Sequence, residues 1–342
     1  MTTNVQDFMS NQPTEVNFPV TLLEDAVRVK VSSRLSVLEA LNFKQTCEEV
    51  IAADSTPKKI LIDFEQTTFM DSSGLGALVS NFKNAQEKGI EFVLQNATPP
   101  VMAVLNLTGL VNVFTIEEGN IAPPSTSPRR REEKFPQTHP SVRSWTKRFI
   151  DIIGALVGLV ITGILSIPII AAIIMDDPGP IFFGQIRCGW MGKHFRMWKF
   201  RSMCVDAEAK KAELQKLNQV QGAFFKIDND PRITPVGKFL RRTSLDELPQ
   251  FWNVLKGEMS LVGTRPPTPD EVECYEVPEW QRLDVKPGMT GEWQVNGRSS
   301  IRNFEDVIRL DLEYQKNWNL MYDLKLIFKT VAILFNKSSG AV

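Results

Sequence analysis

The chain has 342 residues, enough for two domains of ordinary size, and its net charge of −1 conceals an uneven distribution. Residues 1–120 carry 8 Lys and Arg against 15 Asp and Glu, whereas the remainder carries 31 against 25, which indicates an acidic and a basic half with different partners. With two histidines and four cysteines that show no paired spacing, the composition argues against a zinc site, a Ser-His-Asp triad and a disulfide framework. Since the first residues lack the pattern of a signal peptide, we expect the chain to begin in the cytoplasm.

Residues 19–119 alternate between strand and helix patterns, which predicts a small α/β domain. The strand-like pieces "AVRVKVSSRL", "KKILIDF" and "IEFVLQ" are separated by the helical patterns "VLEALNFKQTCEEVIAA" and "SGLGALVSNFKNAQEKG". At the start of the second helix stands "FMDSSGLGALVS", in which Asp71 or Ser72 is suited to accept hydrogen bonds from the exposed backbone amides. The local pattern therefore favours helix capping at this motif.

A segment rich in proline, serine and charge follows, and it cannot bury a core. We therefore predict a flexible linker over residues 120–143. Its arginine run, Arg129–Arg131, has two interpretations, a solvated charge run or a contact with anionic lipid headgroups.

The region 149–175 is the apolar segment of the chain, and Ile152–Met175 includes 24 consecutive uncharged residues. As a straight helix these would extend roughly 36 Å, more than a bilayer core of roughly 30 Å, so we predict membrane insertion. Pro168 removes a backbone donor and is expected to kink the helix. Because the regions on both sides have cytoplasmic features, we prefer a re-entrant segment that turns near Pro168 to a kinked full span, with Ser166 bonding a carbonyl released at the break.

The C-terminal part mixes short strand or turn pieces with helical patterns. In its last helix an apolar stripe suits either a buried core face or a helix lying on the membrane surface. The stripe consists of Met321, Leu324, Ile327, Phe328, Val331 and Leu334.

Adjacent acids, Asp246 and Glu247, lie in "RRTSLDELPQFWNVLKGEMSLVGTRP". Ser244 and Glu247 fit the spacing of a capping box, and Asp246 is an alternative cap that would leave Pro249 in the first helical turn. Capping alone does not account for the cations around them, which are more numerous than a helix start requires. These candidate phosphate-binding residues are Arg241, Arg242, Arg265, Lys286 and Arg298. Two acids among cations beside a membrane segment suit an Mg²⁺-assisted reaction on a phosphate diester or anhydride.

The N-terminal motif, in its α/β setting, resembles the STAS domain of anti-sigma-factor antagonists over about residues 15–119. The resemblance implies a regulatory domain that docks proteins. It further implies that Ser72, which directly follows the motif aspartate, is a phosphorylation target of a kinase and phosphatase. Its acidic surface suits a basic partner, including the C-terminal half of the same chain.

Residues 144–342 resemble the monotopic phosphoglycosyl transferases of the bacterial sugar transferase family. Six ordered blocks carry the resemblance: "KRFIDII", "DPGPIFFGQIRCG", "MWKFRSM", "GKFLRRTSLDELPQFWNVLKGEMSLVGTRP", "VKPGMTGEWQVNGR" and "LDLEYQKNWNLMYDLKLIFKT". The resemblance implies a mixed α+β domain with a re-entrant membrane helix. The family often has Ser-Pro at the break, whereas here Ile167 precedes Pro168.

The family's reaction implies roles for the two acids, with Asp246 as the nucleophile and Glu247 orienting a metal or phosphate. The implied substrates are a nucleotide-diphosphate sugar, expected to be a UDP-sugar, and polyprenyl phosphate in the inner leaflet of the bacterial cytoplasmic membrane. UMP is the expected product, and the step would begin exopolysaccharide, O-antigen or glycoconjugate assembly.

Other classes of protein fit less well. A transporter would need many apolar spans, and a nucleic-acid-binding protein would have no use for a membrane segment. A membrane-anchored signalling adaptor with an inactive transferase half is the remaining alternative, and it predicts that Asp246→Asn leaves function intact. Homo-oligomerisation, the identity of the sugar and the length of the lipid are left open by the sequence.

Overall fold

The computed structural model describes residues 18–53, 57–117, 138–207, 209–210, 230–296 and 304–335. Most of the predicted linker, its arginine run and Arg298 lie outside the described residues. The chain divides into two compact units, one of residues 1–136 and 275–281, the other of residues 137–274 and 282–342.

The described residues of the first unit form a five-stranded sheet and three α-helices. Its strands are β1 (Val20–Leu22), β2 (Ala26–Lys30), β3 (Arg34–Leu35), β4 (Lys59–Asp63), β5 (Phe69–Met70), β6 (Glu91–Gln95) and β7 (Thr115–Glu117). Its helices are α1 (Val37–Ala52), α2 (Ser72–Glu87) and α3 (Pro99–Thr108). The sheet order is β1-β2-β4-β6-β7, in which β1 is antiparallel to β2 and the remaining pairs are parallel, while β3 and β5 form a separate parallel pair.

The central strand β4 explains why this unit folds as an α/β domain. Four of its five residues are buried, as expected for a parallel strand covered on both faces by helices. Val29 on β2 and Ile62 on β4 are directly paired, and neither is exposed to solvent. The α/β organisation predicted for the N-terminal region is confirmed.

Helix α2 begins with the capping arrangement that the sequence favours. The Asp71 carboxylate accepts a hydrogen bond from the backbone N–H of Gly74 at 3.0 Å. Burial raises the pKa of Asp71 to about 6, although its bonds to the Gly74 and Ser73 amides act in the opposite direction. The carboxylate therefore satisfies one of the unpaired amides of the first turn.

The second unit is mixed α and β, as predicted. Its helices are α4 (Pro140–Arg143), α5 (Trp145–Asp176), α6 (Pro235–Thr243), α7 (Gln250–Lys256), α8 (Pro269–Glu273), α9 (Glu292–Asn296), α10 (Phe304–Asn317) and α11 (Leu320–Phe335). Its strands are β8 (Phe182–Cys188), β9 (His194–Phe200), β10 (Ser260–Val262) and β11 (Gly288–Thr290). β8 and β9 form an antiparallel hairpin, whereas β10 and β11 are parallel. Helix α4 occupies residues that we predicted to belong to the linker.

Helix α5 is apolar and long enough to cross a membrane, with a hydropathy of 2.6 in its most apolar window. The helix continues through Pro168 as one element, and the predicted kink at the proline stays a prediction. Proline costs a helix one backbone bond, and the bonds on either side are sufficient to continue it. The Ser166 hydroxyl donates to the carbonyl of Gly163 at 2.8 Å, one residue before Ile164, whose carbonyl the proline leaves without its usual backbone donor. The re-entrant topology stays a prediction.

The start of α5 is fastened to α11 by a buried polar cluster. The Lys147 ammonium lies 2.5 Å from the Asp323 carboxylate. The same carboxylate accepts from the Tyr314 hydroxyl at 2.8 Å and from the Trp318 indole N–H at 3.1 Å. Breaking such a buried pair by removing one partner is costly, so this cluster fixes where the apolar helix emerges from the unit.

The apolar stripe of α11 divides between the two predicted environments. Ile327, a member of the stripe, packs against the buried cluster of Val262, Tyr314 and Leu326. Met321 and Phe328 are each 72 % exposed. The helix thus contributes to the core and also presents large apolar side chains outward.

Candidate active site

The two acids lie in a tight turn between helices α6 and α7. Helix α6 ends at Ser244, whose backbone has the left-handed conformation with φ of 57°. A 3-10 turn over Leu245–Glu247 follows, and Pro249 directly precedes α7. The Ser244 side chain makes no capping bond, so the alternative interpretation of this stretch as a capping box was wrong. The left-handed residue reverses the chain and takes both acids out of the first turn of α7.

Asp246 is buried, with 6 % of its surface exposed, and Glu247 is half-buried beside it. The Lys199 ammonium on β9 lies 2.9 Å from a carboxylate oxygen of Glu247. The sequence analysis did not single out Lys199, although it belongs to the block "MWKFRSM" that carries part of the family resemblance. A buried acid next to a paired acid is a geometry in which one carboxylate can react while the other is held in place.

Arg241 belongs to the same site, as predicted from its position in the sequence. Its guanidinium Nε donates to the Ser202 hydroxyl at 2.9 Å. Burial lowers the pKa of Arg241, and the carboxylates of Asp246 and Asp230 act against that decrease. The cation is therefore close enough to Asp246 for the two charges to influence each other.

A second arginine, Arg187 on β8, lies within the electrostatic influence of Glu247 and was missed by the sequence analysis. Burial and the nearby Arg265 lower its pKa to about 10, whereas Glu271 and Glu247 raise it. Its guanidinium donates to the carbonyl of Pro266 at 2.8 Å. Its block, "DPGPIFFGQIRCG", was noted for the resemblance, but a lone arginine in a strand gives no local indication of its function.

Arg265 has a different partner from the one predicted. Its two terminal nitrogens lie 2.6 and 3.1 Å from the two carboxylate oxygens of Glu271. Burial would raise the pKa of Glu271, but Arg265, Arg187 and Arg282 together lower it. The planar fork of Arg265 is thus engaged by a carboxylate, and its predicted contact with phosphate would require an exchange of partners.

Lys286 is not brought to the two acids. Burial lowers its pKa, and the charged groups that influence it are Arg148, Asp151 and Lys147 rather than Asp246 or Glu247. Among the described residues, Lys199, Arg241 and Arg187 are cations that interact with Glu247 or Asp246.

Comparison with known proteins identifies the family. The bacterial sugar transferase family matches residues 142–337, more than half of the chain. The chain belongs to the bacterial sugar transferase family. The STAS domain family matches residues 17–120, so this sugar transferase carries an N-terminal STAS domain.

Among curated relatives, the galactosyl transferase CpsE of Streptococcus agalactiae is 52 % identical over 188 residues, covering 55 % of this chain and 42 % of that protein. The undecaprenyl-phosphate galactose phosphotransferase of Salmonella typhimurium is 43 % identical over 198 residues, covering 57 % of this chain and 41 % of that protein. The chain thus spans about two fifths of the length of these relatives. An anti-sigma factor antagonist from Mycobacterium paratuberculosis, known from a crystal structure, is 23 % identical with a TM-score of 0.27, covering 29 % of this chain and 83 % of that one.

The acids of this sugar transferase suit the predicted Mg²⁺. Mg²⁺ in phosphate chemistry is commonly held by one or two carboxylates together with substrate phosphates and water. Asp246 and Glu247, adjacent in one turn, provide such a pair. Within the described residues there is no group of three or more His, Cys, Asp and Glu side chains placed to hold a metal ion, so a bound ion would depend on the substrate for further ligands.

Ser72, the predicted phosphorylation target, is the first residue of α2 in the STAS domain. Its side chain is fully buried. A hydroxyl in this position is reached by another molecule only after whatever covers it has moved.

Proposed function

We propose that this protein transfers a sugar 1-phosphate from a UDP-sugar to polyprenyl phosphate and releases UMP. Membership of the bacterial sugar transferase family supports the reaction class. The name of the Salmonella relative, an undecaprenyl-phosphate galactose phosphotransferase, supports the lipid acceptor and a sugar phosphate as the transferred group. The observation that carries the proposal is the buried Asp246 in a tight turn, with Arg241 close enough to influence its charge.

In the first step the Asp246 carboxylate attacks the sugar-bearing phosphorus of the donor. A phosphorus–oxygen bond to the aspartate forms as the bond from that phosphorus to the bridging oxygen breaks, and UMP leaves with the electron pair. In the second step an oxygen of the lipid phosphate attacks the same phosphorus and displaces Asp246. The product is a polyprenyl diphosphate sugar, and the two separate steps predict ping-pong kinetics.

The cations around the turn stabilise charge on the phosphate oxygens. Arg241 and Arg187 supply planar, permanently charged donors. Lys199 holds Glu247 at 2.9 Å, so that Glu247 points consistently toward the phosphates or the metal. Mg²⁺, held by Asp246 and Glu247, would neutralise the negative charge that develops on the diphosphate.

The packing of α5 supports a location on one face of the membrane. Ala155, before the proline, packs against Phe195 and Val254, while Ile173, after it, packs against Phe200. Both halves of the helix therefore contact the same folded unit. Its other face consists of exposed apolar side chains: Leu156, Val157, Val160, Ile161, Ile164, Ile167 and Met175. A helix that crossed the membrane completely would take part of this unit with it, which is unfavourable because the unit is rich in charge.

We therefore propose that α5 enters the cytoplasmic leaflet and leaves the body of the transferase on the cytoplasmic face. Placed there, the active site can reach a soluble nucleotide sugar and a lipid-bound phosphate. Two variants, Arg143→Cys and Asp177→Cys, each with that cysteine as the only one in the chain, test the topology in intact spheroplasts. The two positions flank α5. Both should react with a membrane-impermeant maleimide only after permeabilisation. Reaction of either one from outside would mean that the helix crosses the membrane.

The reaction itself is tested by UMP release from the full chain in nanodiscs, with a panel of UDP-sugars, polyprenyl phosphate and Mg²⁺. We expect release with at least one sugar, dependent on the lipid and lost in Asp246→Asn. Asp270→Asn, a substitution of an exposed aspartate on α8, is the matched control and should leave release unchanged. A folded protein that releases no UMP with any sugar, either as the full chain or after removal of residues 1–120, would refute the proposal.

A further inference from the structure

Residues 275–281 are unusual in their placement. They fall inside the stretch that matches the bacterial sugar transferase family, yet they pack into the first compact unit together with residues 1–136. The residues on either side of this segment, Cys274 and Arg282, belong to the second unit. A short piece of the transferase sequence is thus incorporated into the STAS unit.

The contacts of this segment are concentrated at the start of α2. The Ser72 hydroxyl donates to the backbone carbonyl of Trp280 at 2.7 Å. Ser72 has no exposed surface, and Trp280 is only 9 % exposed. A further contact is made on α1, where the Lys44 ammonium lies 3.0 Å from the Glu276 carboxylate.

The indole of Trp280 depends on a glycine in α2. A Cβ atom added at Gly76 would lie 2.5 Å from atoms of the indole ring, far inside van der Waals contact. Only a residue without a side chain allows the ring to lie this close to the helix. A backbone hydrogen bond, an ion pair and a ring seated on a glycine together make a specific contact.

We propose that residues 275–281 are an intrachain ligand of the α2 N-terminus, and that this docked segment and any group attached to the Ser72 oxygen exclude each other. The Ser72 oxygen is already in contact with the Trp280 carbonyl and has no exposed surface, so an added group has no room. An anionic group would also face that carbonyl oxygen, which repels it. Docking therefore protects Ser72, and modification of Ser72 keeps the segment undocked.

Thiol accessibility tests the docking without any measurement of transferase activity. Ser72→Cys is introduced into the full chain in nanodiscs and treated with N-ethylmaleimide, and labelling is followed at each cysteine by peptide mass spectrometry. The exposed Cys274 and the buried Cys47 are internal references for reagent and for an intact STAS fold. We expect the Ser72→Cys thiol to react about 100-fold more slowly than Cys274.

Two further substitutions disrupt the contact between α2 and Trp280, one in the helix and one in the docked segment. Gly76→Ala places a methyl group against the indole, and Trp280→Ala removes the ring. Each, combined with Ser72→Cys, should raise the labelling rate of that thiol at least about tenfold while Cys47 stays protected. Rapid labelling of the Ser72→Cys thiol by itself, with Cys47 protected, would overturn the proposal, as would protection that persists in both combinations.

A negative charge introduced at position 72 tests whether the docked segment and a group on that residue exclude each other. Ser72→Glu should increase hydrogen–deuterium exchange of residues 275–281 by about tenfold. Ser80→Glu, which adds the same charge to a half-buried position of α2, should not. Equal exchange of the segment in the two variants would contradict the exclusion, whatever the outcome of the UMP assay.

Discussion

Asp71 in the STAS domain and Asp246 in the transferase unit are both buried aspartates close to the start of a helix. Both stand in sequences that favour helix capping, and the local pattern does not separate them. Asp71 accepts from the Gly74 amide at 3.0 Å and caps α2. Asp246 instead belongs to a 3-10 turn that ends before α7 begins. The comparison shows that the same residue type in a similar local pattern can complete a helix or be kept apart from it.

The neighbouring groups of the two carboxyl groups also differ. Burial dominates at Asp71, raising its pKa to about 6. Asp246 has Arg241 within electrostatic reach, and its neighbour Glu247 is paired with Lys199. A carboxylate among cations is suited to meet a phosphate, whereas one bonded to the backbone is suited to hold a helix end. Substitutions at the two sites and a change of pH test whether this difference holds.

The largest expected effect separates the two aspartates directly. Asp246→Asn should lower kcat for UMP release by about a thousandfold or more, because the amide is a poor nucleophile. Asp71→Asn should leave kcat within about twofold, since asparagine also caps helices. Initial rates of UMP release by the full chain in nanodiscs provide the measurement. Similar rates for the two variants would mean that Asp246 has no chemical role.

A smaller effect is expected when the support of Glu247 is removed. Lys199→Met should lower kcat by roughly 10- to 100-fold with a smaller change in KM, because Glu247 loses its partner at the reacting phosphate. The control is Lys256→Met, which removes a lysine paired with Glu258 on a more exposed surface. Exposed ion pairs contribute little, so the control should keep full activity. Equal losses in both variants would point to a general effect of charge.

Loss of the helix cap at Asp71 should have a smaller effect than either active-site substitution. Asp71→Ala removes the acceptor for the Gly74 amide, and loss of such a cap typically costs about 1 kcal/mol. Hydrogen–deuterium exchange of the first turns of α2 in the full chain should therefore increase about fivefold. Asp71→Asn serves as the control and should exchange nearly like the wild type. An unchanged rate in Asp71→Ala would show that the cap does not stabilise α2.

The smallest expected effect is a dependence of the stability of α2 on pH. Because the pKa of Asp71 is raised to about 6, the folded domain binds a proton more tightly than the unfolded chain. The stability of the folded domain therefore rises as the pH falls through 6 and reaches its full extent below the unfolded pKa of about 4. This added stability is lost as the pH rises through 6. Between pH 7 and pH 6 the gain is roughly 0.4 kcal/mol. After correction for intrinsic exchange, protection of α2 should rise about twofold over this interval, and Asp71→Asn should abolish the change.

Much of the fold was accessible from local patterns. The central strands β2, β4 and β6 and the helices α1 and α2 have regular apolar periodicity, so they were predicted in the correct order and type, whereas strand β1 at the sheet edge was not predicted. The apolar helix of the transferase was recognised from its composition, because a run of 24 uncharged residues that are nearly all apolar is typical of a membrane helix. The proline within it does not end the helix, since the backbone bonds on either side continue.

Local sequence patterns therefore establish the order of most elements, the apolar segment and the pair of acids, because periodicity and composition are properties of neighbouring residues. Tertiary structure alone decided which cations accompany the acids. Lys199 and Arg187 come from a hairpin about 50 residues away along the chain, whereas Lys286 lies among other charges. It also decided that Trp280 covers Ser72, more than 200 residues distant. Contacts of this kind depend on how packed elements meet in space, and spacing along the chain does not encode them.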